Sequence, residues 1–373
     1  MKSIGIYRTA YPLASETFID QQMRSLIEFN PVMITRTQMG SIDFDHISLN
    51  RLSWGGLRSR LFSITALPGL FGKVALLDEL KLIHAHFGPD ATYALPLAGK
   101  LEVPLIVTFH GYDCTLSKSA LLSTGKISDF RFIFFEKYIK SRASIVIAVS
   151  AFVHKILLNR GYREEQIFQH YIGVDIERFK PLNHKPKKRY VLCVGRHTEK
   201  KGIDVLLRAF AHISMKHKEV NLIQVGTGQL STELKALTVS LGIEERVNFL
   251  GEKTSDEVLH LMQSAEIFVL PSCTAKSGDS EALGIVFNEA SACEIPIVST
   301  HHGGIPEAVL DGETGFLVQE RDDVSLAERM DYLLNNPCIA REMGKKGREY
   351  VSEVFDLHKQ TKKLETLYKE IIK

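Results

Sequence analysis

Two glutamates, Glu281 and Glu289, bracket a stretch of seven residues in "SEALGIVFNEASAC" (280–293). An apolar run, "EIFVLPS" (266–272), precedes them and reads as a buried strand, and "CTAKSGDS" (273–280) reads as the loop at its carboxyl end. A helix is expected to begin in "GIVFNEASAC". A helix start presents unpaired N–H groups and the positive end of the dipole, so the backbone at Gly284, Ile285 and Val286 is suited to phosphate oxygens. Glu281 then precedes the helix and Glu289 lies one to two turns inside it. Carboxylates accept from pairs of hydroxyls, so two of them flanking an anion site fit a ligand with sugars on both sides of a diphosphate.

Cations occur in a second loop of the same kind. In "YVLCVGRHTEKKGIDVLLRAF" (190–210) an apolar strand stops at Gly195, and Arg196 and Lys201 follow before a helix. Arg196 offers a planar donor fork and Lys201 a compact charge, a combination that suits a diphosphate. The spacing matches neither a Walker A loop nor G-x-G-x-x-G. In "NLIQVGTGQL" (221–230), Gly226 and Gly228 end another strand. They fit either a plain tight turn or backbone brought close to a ligand.

The first half carries its own candidates. "PLIVTFHGYDC" (104–114) ends a strand at His110, with Asp113 three residues on. Ser15, Glu16 and Thr17 in "YPLASETFIDQQ" form the first loop and helix start, and "IHAHFGPDAT" adds His86. A metal set from His84, His86, His301 and His302 is disfavoured on the expectation that strand residues two apart point to opposite faces. Asp43 and Asp45 in "IDFDH" spell a D-x-D metal motif, but in a polar stretch that reads as a surface loop.

These loops imply a regular scaffold. Strand-like runs, including "SIGIY", "PVMIT", "LIHAHF", "PLIVTFH", "ASIVIAVS", "QIFQHYI", "YVLCVG", "NLIQVG", "VNFLG", "EIFVLP", "PIVST" and "GFLV", alternate with amphipathic helical ones. Runs of Val and Ile without polar alternation mark strands covered on both faces, so the fold class is α/β with doubly wound parallel sheets. In such sheets ligands bind beyond the carboxyl ends of the strands.

At 373 residues the chain exceeds one core. The sharpest break, "KPLNHKPKKRY" (180–190), suggests domains at 1–182 and 183–355, with a final amphipathic helix at 356–373. A net charge of +2 argues against a nucleic-acid binder. Five cysteines without C-x-x-C spacing read as buried free thiols of a reducing compartment. The amino terminus shows no signal-peptide pattern, and no apolar run is long enough to span a bilayer, so a cytoplasmic location is expected. The stretch 118–142 mixes basic and aromatic residues at helical spacing; it reads as a core-facing helix with a solvated basic face or, more sharply, as a contact with an anionic membrane surface.

Taken together, "VGRHTEKKG", the E-x7-E of "EALGIVFNEA", "GGIPEAVLDGETGFLV", "TFHGYD" and "IGVDIERFKP" resemble the family 4 retaining glycosyltransferases of the GT-B fold. "YPLASETFI", "HAHFGPDAT" and "SGDSEALG" resemble the exopolysaccharide branch, of the colanic-acid and amylovoran type. The resemblance implies two Rossmann-like domains facing across a cleft, and a nucleotide-diphosphate sugar donor, with UDP favoured over GDP and no cofactor or metal. Arg196 and Lys201 would neutralise the diphosphate, Glu289 would bind the ribose and Glu281 the donor sugar. Backbone at Leu283 to Val286 would hold sugar and phosphate, and His110 would contact the sugar near the reacting carbon. Glu16, Thr17, His86 and Asp113 fall on the acceptor side, where a saccharide or lipid-linked oligosaccharide is expected, and the final helix would cross back to the first domain. Two departures stand out: Ala282-Leu283 replaces the usual Gly-Phe, and "PLASE" replaces the glycine pair of the first loop. The alternatives are a nucleotide-sugar epimerase of the same architecture and a non-catalytic nucleotide-sugar binder.

Overall fold

Every strand pairing is parallel, and the strands fall into two sheets. The computed structural model describes residues 1–13, 16–182 and 189–373; Ser15 of the first loop and residues 183–188 of the basic break lie outside them. The first sheet contains β1 (Lys2–Tyr11), β2 (Phe29–Gln38), β3 (His46–Ser48), β4 (Leu80–His86), β5 (Leu105–Phe109), β6 (Ile145–Ala148) and β7 (Ile167–Gln169). Its order is β3-β2-β1-β4-β5-β6-β7. The second contains β8 (Tyr190–Val194), β9 (Asn221–Val225), β10 (Val247–Phe249), β11 (Ile267–Val269), β12 (Ile297–Thr300) and β13 (Gly315–Val318), in the order β10-β9-β8-β11-β12-β13.

Both orders reverse direction once, between β1 and β4 and between β8 and β11. These are the topological switch points of doubly wound sheets, where ligands bind beyond the carboxyl edge. The central strands are apolar because helices cover both faces; all five residues of β5 are buried.

By packing, the chain divides into Met1–Gly173 with Leu357–Lys373, and Val174–Asp356. The boundary thus falls earlier than the composition break suggests. Residues 174–180 pack with the second unit: the Val174 amide donates to the Phe355 carbonyl (2.8 Å), Phe179 is buried, and Gln263 donates to the Lys180 carbonyl (2.9 Å). Arg348 ties down the carbonyls of Phe179 (3.0 Å) and Ile176 (3.2 Å). The boundary therefore precedes the basic break, whose residues 183–188 lie outside the described ones.

The last helix, Leu357–Ile371, completes the first unit. Leu364, Leu367 and Tyr368 join Ile4, Ile6, Met33 and Leu82 in one buried cluster. The buried Glu365 carboxylate accepts from the amides of Ile27 (2.8 Å) and Glu28 (2.6 Å). Gly173 has no room for a side chain because a Cβ would lie 2.5 Å from the Leu357 Cα, and Val174 bridges Asp356, so the two strands of chain that join the units run side by side.

Four of the five cysteines are buried as free thiols; Cys338, near the start of the helix Pro337–Val354, is exposed instead. Among the described residues no helix is long and apolar enough to cross a membrane.

Candidate active site

At the β8/β11 switch point the Lys201 ammonium donates to a Glu281 carboxylate oxygen, and each side chain is only 13% exposed. The methylene stem of Lys201 lies against Gly195, at the end of β8. Lys200 pairs with Asp279 at 3.0 Å, two residues before Glu281. Burial alone would raise the Glu281 carboxyl, but the Lys201 and Lys200 ammonium groups outweigh it and hold its pKa at about 2. Glu281 is therefore a fixed anion with a committed cation. Arg196, in contrast, is exposed, and its side chain makes no hydrogen bond or ion pair among the described residues.

The helix Ile285–Ala292 begins immediately after this pair, and no side chain caps it. Gly284 must be glycine there. Its φ is +79°, and a Cβ would lie 2.6 Å from the Phe287 ring. Ala282, where the resemblance implies a glycine, keeps an ordinary negative φ, so its Cβ is accommodated without backbone strain. Leu283 is buried beside it.

Glu289 sits one turn inside that helix, part-buried, and its carboxylate has no hydrogen-bond partner among the described residues. Burial pushes its pKa up to about 7, offset only in part by Arg178. An acceptor without a donor suits a hydroxyl-bearing ligand.

Gly226 and Gly228 serve differently than a ligand-facing reading implies. A Cβ at Gly226 would lie 2.3 Å from the Gly195 carbonyl oxygen, and one at Gly228 would lie 2.5 Å from that of His197. The space they leave is filled by the β8 loop, which is further bolted down by His197 between Gln224 (2.6 Å) and Ser231 (2.7 Å). These glycines shape the loop that carries Arg196.

The first unit has its own cluster at the β1/β4 switch point. Arg8, near the end of β1, grips Glu16 through two bonds (2.9 and 2.7 Å), pairs with Asp90, and donates to the His86 carbonyl (3.2 Å). Asp90 also accepts from the Thr9 amide (2.8 Å). Neither Arg8 nor Asp90 stood out in the sequence, although an arginine within an apolar strand is itself a signal of a buried partner. Thr17 opens the helix Thr17–Arg24 and is exposed.

His86 and His110 bond ring to ring (Nδ1 to Nε2, 3.0 Å). Burial, reinforced by neighbouring imidazoles and Arg8, pushes both well below the usual histidine range, so both rings are neutral. His110 is half-buried, whereas His86 lies beneath it and is 2% exposed. Asp113 is likewise not at the surface: its carboxylate is fully buried and accepts from the amides of Gly88 (2.9 Å), His110 (3.2 Å) and Gly111 (3.0 Å). An acceptor-side role for Asp113 and His86 is thereby corrected to support of the His110 loop.

His84 and His86 stack at 4.5 Å, contrary to the expectation of opposite faces, because strand residues two apart share a face. His84 is spent between Tyr368 and Thr108 (2.6 Å each). Among the described residues no group of three or more His, Cys, Asp or Glu could hold a metal. Asp43 and Asp45 bond to Arg24 (3.0 Å) and Asn30 (3.1 Å).

Comparison with known proteins gives a consistent picture. Residues 174–350 match the model of the glycosyl transferases group 1, and residues 25–178 that of glycosyltransferase family 4. The chain is 31% identical over 294 residues to a GDP-mannose-dependent alpha-(1-6)-phosphatidylinositol monomannoside mannosyltransferase of Mycolicibacterium smegmatis, covering 74% of this chain and 73% of that one. It is 26% identical over 371 residues to WcaL of Escherichia coli (strain K12), named for colanic acid biosynthesis, covering 88% and 89%. Anabaena HepE, solved with UDP and glucose, shares the fold with a TM-score of 0.76 at 21% identity, over 99% of each chain.

Proposed function

The chain belongs to the family 4, group 1 glycosyltransferases of the GT-B fold, and we propose that it moves a hexose from a UDP-sugar to a saccharide acceptor with retention at the anomeric carbon. The observation that carries the donor assignment is the Lys201–Glu281 pair set against the uncapped start of the helix Ile285–Ala292. The pairs Lys201–Glu281 and Lys200–Asp279 are each electrically balanced. The excess positive charge at this edge is therefore the unpartnered Arg196 and the helix start, and these are the groups we assign to the diphosphate. Lys201 supports them, and Glu281 accepts from hydroxyls of the donor sugar. Glu289 accepts from the ribose.

In the transfer, the bond from the anomeric carbon to the phosphate oxygen breaks as the acceptor oxygen bonds to that carbon on the same face. The departing diphosphate oxygen takes the acceptor's proton. Catalysis then consists of positioning and of stabilising charge on the leaving group, for which fixed cations suffice without a metal. The names of relatives such as WcaL support a place in bacterial surface polysaccharide synthesis, and we propose a lipid-linked oligosaccharide as acceptor. We assign acceptor binding to the first unit's edge, with Glu16 and Thr17.

A lipid-linked acceptor requires access to a membrane, and we propose peripheral attachment to an anionic inner leaflet. The helix Ile127–Arg142 exposes Ile127, Phe130, Phe134, Phe135 and Tyr138 with Lys137 and Arg142, whereas its acids Asp129 and Glu136 are buried. Its exposed face is thus aromatic and basic. Arg131 donates to the Ile64 carbonyl (2.7 Å), linking it to the helix Gly55–Thr65, which exposes Leu57, Leu61 and Ile64 beside Trp54. Residues 46–77 contain no acid at all.

Thermal denaturation against UDP-glucose, UDP-N-acetylglucosamine, UDP-galactose and GDP-mannose tests the donor assignment. A UDP-sugar should raise the melting temperature, and Glu281→Gln should remove the part of the rise that UDP alone does not produce. A panel in which none of the four shifts the transition overturns it.

A further inference from the structure

His302 was considered in the sequence only as a metal ligand, and no such set exists among the described residues. It is 3% exposed, two residues past the end of β12, and both ring nitrogens are engaged. Nε2 accepts from the Glu281 backbone N–H at 3.0 Å. Nδ1 faces a Glu320 carboxylate oxygen at 2.7 Å, with the Thr274 hydroxyl at 3.4 Å. A backbone N–H can only donate, so Nε2 is bare. The carboxylate can only accept, so Nδ1 carries the proton. The network therefore selects one neutral tautomer.

The two residues after His302 hold the other side of Glu281. The Gly304 N–H donates to the Glu281 carbonyl at 3.0 Å. A Cβ on Gly303 (φ +56°) would fall 2.1 Å from that same oxygen, and one on Gly304 would fall 1.9 Å from the Ala282 oxygen. Glu320 is itself fixed by the Thr274 amide (2.8 Å) and hydroxyl (3.1 Å). The turn 302–304 thus clamps the backbone of Glu281 on both its N–H and its C=O, while Lys201 holds the carboxylate.

We propose that His302, oriented by Glu320, is a positioning residue that sets the backbone of Glu281 so that its carboxylate meets the donor sugar. The role rests on the donor-site reading above. It needs no contact between His302 and substrate. Two substitutions separate its bonds. The amide oxygen of His302→Gln can reach the place of Nε2 and keep the Glu281 bond. His302→Asn reaches only the place of Nδ1, keeping Glu320 and losing Glu281.

Hydrogen–deuterium exchange of the peptide spanning 279–284 reads the clamp without any ligand. Exchange should quicken about tenfold in His302→Asn and stay within about threefold of the native rate in His302→Gln, since one hydrogen bond is worth about one decade. Calorimetry with UDP-glucose and with UDP alone should show the Asn variant losing about tenfold for the sugar nucleotide relative to UDP, with the Gln variant restoring most of it. If the two variants exchange alike, or both match the native protein, the positioning role is wrong. Glu281→Gln supplies the control. If exchange follows the expectation but Glu281→Gln binds UDP-glucose unchanged, the clamp stands and the donor-site reading fails.

Discussion

Lys201 and Glu281, eighty residues apart in the chain, meet as a part-buried ion pair at the carboxyl edge of the second sheet. Removing one partner leaves the other desolvated and uncompensated. Lys201→Ala should therefore cost about 2 kcal/mol of stability, and Lys201→Ala/Glu281→Ala should cost less than the sum of the single changes by about 1 kcal/mol. Urea unfolding of the four proteins measures this coupling. Lys201→Ala should also weaken UDP binding and turnover together; calorimetry showing native UDP affinity would contradict its support of the diphosphate site.

The protonation of Glu289 gives a pH dependence of defined sign. Its folded pKa, about 7, lies above the ordinary carboxyl value, because burial disfavours the ionised form. Below about pH 4.5 both folded and unfolded states are protonated and the group contributes nothing. Between that value and 7 the unfolded chain releases the proton first, so stability falls as pH rises, and it levels off above 7. Glu289→Gln should thus melt about 3 °C higher than the native protein at pH 8, with the gap closing towards pH 4.5. If the carboxylate receives ribose hydroxyls, UDP affinity should climb with pH towards 7 in the native protein and stay flat in the variant. Parallel pH profiles of binding would remove Glu289 from the nucleotide site.

Two glycines make a sharp contrast. Gly284→Ala meets both a left-handed backbone and the Phe287 ring, and should destabilise by about 2 kcal/mol and displace the helix start that follows. Gly56, on the exposed face of the helix Gly55–Thr65, has no atom within 4 Å of a built Cβ. Gly56→Ala should be stabilising by about 0.5 kcal/mol through helix propensity. Melting curves for the pair settle the point, and equal effects would show that space at Gly284 is not what matters.

Membrane attachment is read by flotation with vesicles of phosphatidylglycerol and phosphatidylethanolamine. The native protein should rise with the vesicles at low salt, and Phe130→Ser/Phe134→Ser should leave most of it at the bottom. Equal recovery on neutral phosphatidylcholine vesicles, or no flotation, would count against an anionic surface as the partner.

Much of the scaffold was legible because buried parallel strands appear as unbroken apolar runs. β3 was not: three residues, His46–Ser48, sit at an edge in a polar stretch where pattern and burial part company. Chemistry and spacing single out Arg196, Lys201, Glu281 and Glu289 in the sequence, and of these the structure brings Lys201 and Glu281 into contact. Gly226 and Gly228 were ambiguous because the sequence cannot say whether backbone or ligand fills the space beside a glycine. Arg8 and Asp90 went unnoticed, and His302 was weighed only as a metal ligand, because their partners lie distant in the chain; Asp113 was placed on the acceptor side because the three amides that consume its carboxylate carry no side-chain signature.

The dependence of the first unit's core on Leu364, Leu367 and Tyr368 has a consequence for how the protein is made. The amino-terminal sheet leaves the ribosome first but must wait, with part of its apolar face uncovered, until residues 357–373 have been synthesised. The second unit, encoded in one uninterrupted stretch, has no such delay. Order of translation and order of completion are therefore reversed, and the amino-terminal sheet is the part that passes through synthesis with apolar surface still uncovered.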